Sequence, residues 1–263
     1  GPDIDCFPLY FEMLHYLGRL RERSHWYGAL GDSIPETLAQ IKLDRLVPTE
    51  ADDAAEYRPS DGEFEFWLAV ETRMSLPGLA RERVVDMAQS AGADWLFMWD
   101  HDMRFPLSVF LRLLRHNKPV VGALGFTARD PIQPCLYRIQ EGFDVASQKE
   151  SLSSETVFDY PVDKLISDED VDGKIAFGAG VVLYNMNVFR QIPKPWFNST
   201  GCGEDWFFCT RAAEHNIPRY VDPTIPIQHK QHKAFWYDSL RYQQNRLDNP
   251  AIYEKLKQGV HEI

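Results

Sequence analysis

Residues 93–106 read ADWLFMWDHDMRFP. Five apolar side chains in a row, Trp95 to Trp99, are too few for a helix of ordinary length. They suit a strand buried on both faces, as in the middle of a parallel sheet. The run stops abruptly at Asp100-His101-Asp102, and Pro106 then sits in the first turn of a helical pattern, PLSVFLRLLRH (106–116). Two carboxylates this close repel each other unless something positive lies between them.

Working outward, PVVGAL (119–124) reads as the next strand, LPGLARERVVDMAQ (76–89) as the preceding helix, and FEFWLAV (64–70) as the strand before that. This β-α-β-α-β alternation predicts an α/β fold with a mostly parallel central sheet and helices on both faces. Earlier still, Leu9, Met13, Leu17 and Leu20 share one face of a helix over 8–22. The polar residues 29–62 include PTEADDAAEYRPSDG, a surface loop. Residues 140–173 are acidic, Ser-rich and weakly periodic. They predict an excursion or small hairpin with few core anchors and low local stability, either a lid over a neighbouring site or a surface insertion with no role. Order returns with KIAFGAGVVLYNMNVF (174–189): strand, Gly-Ala-Gly, strand, short helix. A Gly-rich loop then leads to a helix from about Asp205, short strands end at His229, and the remainder reads as helical and peripheral. The expected organisation is one domain over 1–233 with a helical C-terminal extension, 234–263.

The formal charge of −11 argues against a general nucleic-acid binder, which carries a basic surface, and suits recruitment of divalent cations. No apolar run is long enough to span a membrane and no signal peptide precedes the first helix, so a cytoplasmic protein is expected. The opening Gly1-Pro2 is expected to be a tag-cleavage scar. Cys6, Cys135, Cys202 and Cys209 form no C-x-x-C pair, which predicts reduced thiols rather than a zinc knuckle.

In open α/β sheets ligands bind beyond the carboxyl ends of the strands, and Asp100-His101-Asp102 lies at such an end. Alternate residues on extended backbone share a face, so Asp100 and Asp102 point the same way. Their oxygens suit Mg²⁺ or Mn²⁺, and a metal there would bridge the phosphates of a nucleotide. Asp102 is the first choice of ligand. Asp100 is the second, or instead meets the nucleotide ribose. The plain alternative is a solvated turn with a capping Asp before a helix, since D-x-D also recurs by chance in acidic chains.

Four segments in order, LARERVVDMA, GADWLFMWDHDMRFP, FGAGVVLYNMNVF and GEDWFFCTRAAEHNIPRYVDPTIPIQHK, resemble the motifs of GT-A glycosyltransferases. The likeness is to the large inverting group with members in bacteriophage genomes, and it spans about residues 64–232. The resemblance implies a single GT-A (Rossmann-like) domain and metal-dependent transfer of a sugar from a nucleotide-sugar donor, a UDP-sugar by expectation, to an acceptor hydroxyl. The cofactor would be Mn²⁺ or Mg²⁺, and the location the host cytoplasm if the chain is phage-encoded. His229 would complete the metal site, Asp205 would be the catalytic base, and Glu204 would bind or orient the acceptor. Lys230, with Lys233, would meet the diphosphate, and Arg81 would do the same or only brace the sheet. Gly178-Ala179-Gly180 would let backbone approach an acceptor ring closely. Trp206, and with it Trp196, would stack on acceptor rings or pack as core aromatics. A helix-capping Asp205 would have a lowered pKa. The acceptor could be a saccharide, a lipid-linked sugar, a protein side chain or a hydroxymethylated DNA base. Two departures stand out. Glu82 follows Arg81 where the family has Asn, and no first strand with a base-binding loop is evident before residue 8. A nucleotidyltransferase of the same fold and a non-catalytic carbohydrate-binding protein are the alternatives.

Overall fold

The computed structural model describes residues 76–100, 102–106, 108–127, 130–144, 149–198, 203–231 and 235–259. The expected helix over 8–22, loop over 29–62 and strand over 64–70 lie outside the described residues, as do His101, Cys6, Cys202 and Lys233.

The apolar runs become the central sheet. Trp95–Trp99 (β1) is followed by the two-residue Met103–Arg104 (β2), helix Val109–Arg115 (α2) and Val120–Ala123 (β3). Helix Pro77–Ser90 (α1) comes before them, its start fixed by a proline in the first turn. Later come Lys174–Phe177 (β6), Val181–Asn185 (β7) and Arg219–Asp222 (β8). The sheet order is β1-β7-β3-β8. β7 runs antiparallel to both β1 and β3, whereas β3 and β8 are parallel. β1, β3 and β8 therefore point one way and β7 the other. The described sheet is mixed α/β rather than mostly parallel. The cause is the connection: β7 follows β6 through only Gly178-Ala179-Gly180, at the edge where β1, β3 and β8 end. A turn that short cannot carry the chain back across the sheet, as a parallel strand requires.

Side chains alternate along β7. Val181 and Leu183 pack with α2 residues such as Leu111 and Leu113, whereas Val182 and Tyr184 pack with Val85 of α1 and Phe208. Helices thus cover both faces, as expected.

Leu136–Asp144 (β4) and Lys149–Thr156 (β5) form an antiparallel hairpin that continues into β6, in the order β5-β4-β6. The expected hairpin is there. The expectation of few core anchors is corrected for its second half, because Val157, Phe158, Ile166 and Val171 are all buried. A 3₁₀ turn, Asp168–Val171, carries a capping box with Ser167.

Short helix Asn187–Gln191 (α3) and helix Glu204–Glu214 (α4) flank the loop ahead of the acidic motif. Gln228–Gln231 (β9) pairs with both β2 and Phe235–Tyr237 (β10). The C-terminal helices Ser239–Asp248 (α5) and Pro250–Lys257 (α6) are not peripheral. Tyr242 and Tyr253 are buried against Phe126 and Phe158, so the tail belongs to the core. Cys135 and Cys209 are free thiols, as expected of these two.

Candidate functional site

The carboxyl edge of β1 is tied to the amino edge of β7. The Asp100 N–H donates to the Gly180 carbonyl at 2.9 Å, and the chain turns so that Met103 N–H donates to the Asp100 carbonyl at 3.1 Å. β2 then pairs with β9 in a register that sets Met103 opposite His229. Lys230 N–H donates to the Asp102 carbonyl at 2.9 Å. This pairing brings together two residues far apart in sequence, and His229 Nε2 lies 3.3 Å from Asp102 Oδ2.

The tautomer of His229 follows from its other nitrogen. Nδ1 lies 3.0 Å from the Phe126 carbonyl, which can only accept, so Nδ1 carries a proton. Nε2 then faces a carboxylate. A bare lone pair there would be repelled, so the pair requires a shared proton or a cation between them. Without a cation a proton would serve, and the Asp102 hydrogen bond raises the His229 pKa against the opposing effect of burial. A ligating His whose second nitrogen donates to a carbonyl is the usual arrangement around a metal. Among the described residues no three of His, Cys, Asp and Glu are grouped to hold a metal alone. A cation at Asp102 and His229 would draw its other ligands from water and substrate phosphate, as Mg²⁺ commonly does.

Asp100 is committed elsewhere. Arg81 Nη2 donates to its two carboxylate oxygens at 2.9 and 3.0 Å. Its side chain keeps 41% of its surface accessible, yet desolvation raises its pKa against the pull of Arg81. Arg81 itself is buried. Nε donates to Glu204 Oε1 at 3.3 Å and Nη1 to the Ala179 carbonyl at 3.3 Å. Of the two readings of Arg81, bracing rather than contact with the diphosphate agrees with this geometry.

Glu204 and Asp205 occupy the first turn of α4, after Gly203 at a φ of +88°. Asp205 Oδ1 accepts from Trp206 N–H at 2.7 Å, and Oδ2 from Ala179 N–H at a longer 3.4 Å. Those bonds lower the Asp205 pKa, but burial is the largest influence and Glu204 adds repulsion, so the pKa is raised. The expected lowering is corrected: desolvation outweighs capping.

Gly178 and Gly180 are small for the protein's own sake. A Cβ on Gly178 would come 3.1 Å from Cys135 Cβ, and one on Gly180 would come 3.2 Å from Met103 Sδ. Ala179 between them is buried. Stacking of Trp206 or Trp196 on an acceptor ring is corrected, since both rings are buried and Trp196 Nε1 donates to the Ile192 carbonyl at 2.7 Å. Lys230 is half-buried on β9, next to His229.

Sequence reasoning noted Glu82 only as a departure. Its Oε1 accepts from the main-chain N–H of Trp196 and of Phe197, the latter at 2.6 Å. Glu82 thereby pins the loop that leads to Glu204, and the adjacent Arg81 holds Glu204 directly. An acid beside a site arginine was the available signal.

No protein-family model matches the chain, and no curated protein does. Among solved structures, A197 from STIV superimposes with a TM-score of 0.42 at 18% identity, over 67% of this chain and 78% of that one. A likeness at that level fixes neither fold nor function.

Proposed function

We propose that this chain is a metal-dependent glycosyltransferase of the GT-A type. It would move a sugar from a UDP-sugar to an acceptor hydroxyl with inversion. The supporting observation is the wiring of one sheet edge: a His229–Asp102 pair that a proton or a cation can share, linked through Gly180 and Ala179 to a half-buried carboxylate, Asp205, whose pKa is raised by desolvation.

Each residue then has a task. Asp102 and His229 would hold Mn²⁺ or Mg²⁺, which when bound stabilises the negative charge that grows on the leaving diphosphate. Asp205 takes the proton from the attacking hydroxyl, and a raised pKa makes it a stronger base once ionised. Oδ2 is the oxygen for that proton, because its bond to Ala179 N–H is the longer of the two. Glu204, held by Arg81, orients the acceptor. Lys230 is assigned to the diphosphate by the resemblance alone, because consecutive side chains of β9 point to opposite faces and His229 takes the one toward Asp102. The acceptor is a saccharide hydroxyl by preference over a hydroxymethylated DNA base, because a net charge of −11 disfavours duplex binding. No helix among the described residues is long and apolar enough to cross a membrane.

Calorimetric titration of Mn²⁺ in the presence of UDP tests the metal assignment. Binding heat is expected in the parent and is expected to vanish in Asp102→Ala. Undiminished heat in the variant overturns the assignment. Release of free sugar from a panel of UDP-sugars, dependent on Mn²⁺, tests the reaction class.

A further inference from the structure

We infer that Arg81 is a positioning residue that holds the β1 end, the β6–β7 turn and the start of α4 in one geometry, and is not a ligand of the donor. The inference rests on the proposed reading for what the acids do, but its geometry stands independently. A guanidinium offers five N–H donors in a rigid planar fork. Here all three nitrogens are engaged by protein: Nη2 by Asp100, Nε by Glu204 and Nη1 by the Ala179 carbonyl. Arg81 is only 8% exposed, which leaves almost no surface for a diphosphate.

The three partners belong to three different segments. Ala179 extends the linkage, because its carbonyl accepts from Arg81 while its N–H donates to Asp205. One side chain thus reaches Asp100 and Glu204 directly and Asp205 through a single residue of main chain. Without a shared countercharge these acids would repel one another in a poorly solvated site and the three segments would separate. A lysine keeps the charge but cannot serve three diverging acceptors with one ammonium.

Arg81→Lys separates the possibilities. Amide hydrogen exchange is expected to quicken about tenfold at Asp100, Ala179 and Trp206, with little change at Val121 and Val221 in the sheet interior. With a panel of UDP-sugars and Mn²⁺, kcat for donor hydrolysis is expected to fall about a hundredfold, while donor KM stays within about twofold. A raised donor KM with kcat retained would make Arg81 a donor ligand and overturn the inference. Exchange that quickens evenly across the sheet, or nowhere, would also overturn it. If Arg81→Lys does not fold, Glu204→Ala removes one arm, acceptor and charge together. Exchange should then quicken at Trp206 and not at Asp100, and no difference between those amides counts against the clamp. If the parent turns over no UDP-sugar, the glycosyltransferase reading fails and the exchange pattern alone decides the role of Arg81.

Discussion

Asp205 is where two local effects compete with opposite signs. A carboxylate in the first turn of a helix gains from N–H donors and from the helix dipole, each worth about 1 kcal/mol. Burial acts against the charged form and can shift a carboxyl by several pKa units, so it prevails. Two consequences follow. As a base Asp205 must be ionised, so kcat/KM should fall as pH drops through a value above that of an ordinary Asp, and Asp205→Asn should lower kcat about 10²- to 10⁴-fold with donor KM nearly unchanged. The native state also binds this proton more tightly than the unfolded chain does. Stability from this group is therefore complete below the ordinary carboxylate pKa and declines as pH rises through the raised one. Asp205→Asn should be at least as heat-stable as the parent at neutral pH, with the difference shrinking toward acid pH. Melting curves across pH check this, and a less stable variant at neutral pH would mean that the two hydrogen bonds outweigh the desolvation. At this scale the sequence made the acids visible, and only the resemblance put His229 with Asp102; the partners of Asp100 and Asp205 were not visible. Asp100, Asp102 and Asp205 stand out as carboxylates after apolar or Gly-rich segments. That Asp100 faces Arg81 while Asp102 faces His229 depends on a two-residue strand pairing, too short to leave a periodic trace.

Elements were legible where burial writes an unbroken apolar run, and illegible where direction matters. β3 and β7 announce themselves as strands because both faces are covered, whereas β1, expected in the middle of a sheet, is the edge of the described one and buries only Met98 fully. An apolar run reads alike in either direction, however, so the reversal of β7 had no signature except the shortness of the Gly178-Ala179-Gly180 link. Trp196 and Trp206 were ambiguous for the same reason, since aromatics near a site serve either the core or a ligand. Gly122 in β3 escaped notice altogether. It lies between β7 and β8, opposite Val182 and Val221. A Cβ there would stand 2.6 Å from Phe177 Cε2 and 3.3 Å from the Val181 carbonyl. One neighbour is a stiff ring and the other is backbone, so neither yields cheaply. Gly122→Ala should destabilise by about 1–3 kcal/mol, the usual range for overpacking. A lower urea midpoint with an unchanged slope is the expected record. Gly180→Ala meets only the flexible Met103 side chain and should cost less.

Across the whole molecule, the segment that composition marked as loose is fastened to the central sheet by a buried arginine. Arg219 of β8 is 1% exposed, and its donors go to the Ile175 and Ile217 carbonyls and to both oxygens of Asp168. Asp168 also accepts from Ile175 N–H at 2.9 Å, and Ile166 bridges to Val221. Acidic composition hid this, because a paired, half-buried Asp and a solvated one look the same in sequence. The whole of 140–173 therefore cannot behave as a lid: any closing motion is confined to the β4–β5 hairpin, and residues 157–171 should resist hydrogen exchange without ligand. Asp168→Ala tests the fastening. It leaves a buried guanidinium short of its carboxylate and the Ile175 N–H without an acceptor, at a cost of about 3 kcal/mol. Lys174 also touches Asp168, at 3.2 Å, but its side chain is 56% exposed, so Lys174→Ala should cost less than about 1 kcal/mol. Thermal melts of the two variants separate the contributions. In Asp168→Ala, exchange should quicken across 166–177 and 219–222 together, because those strands share the lost contact. Equal melting losses in the two variants would place the fastening on the surface rather than in the buried Arg219 pair.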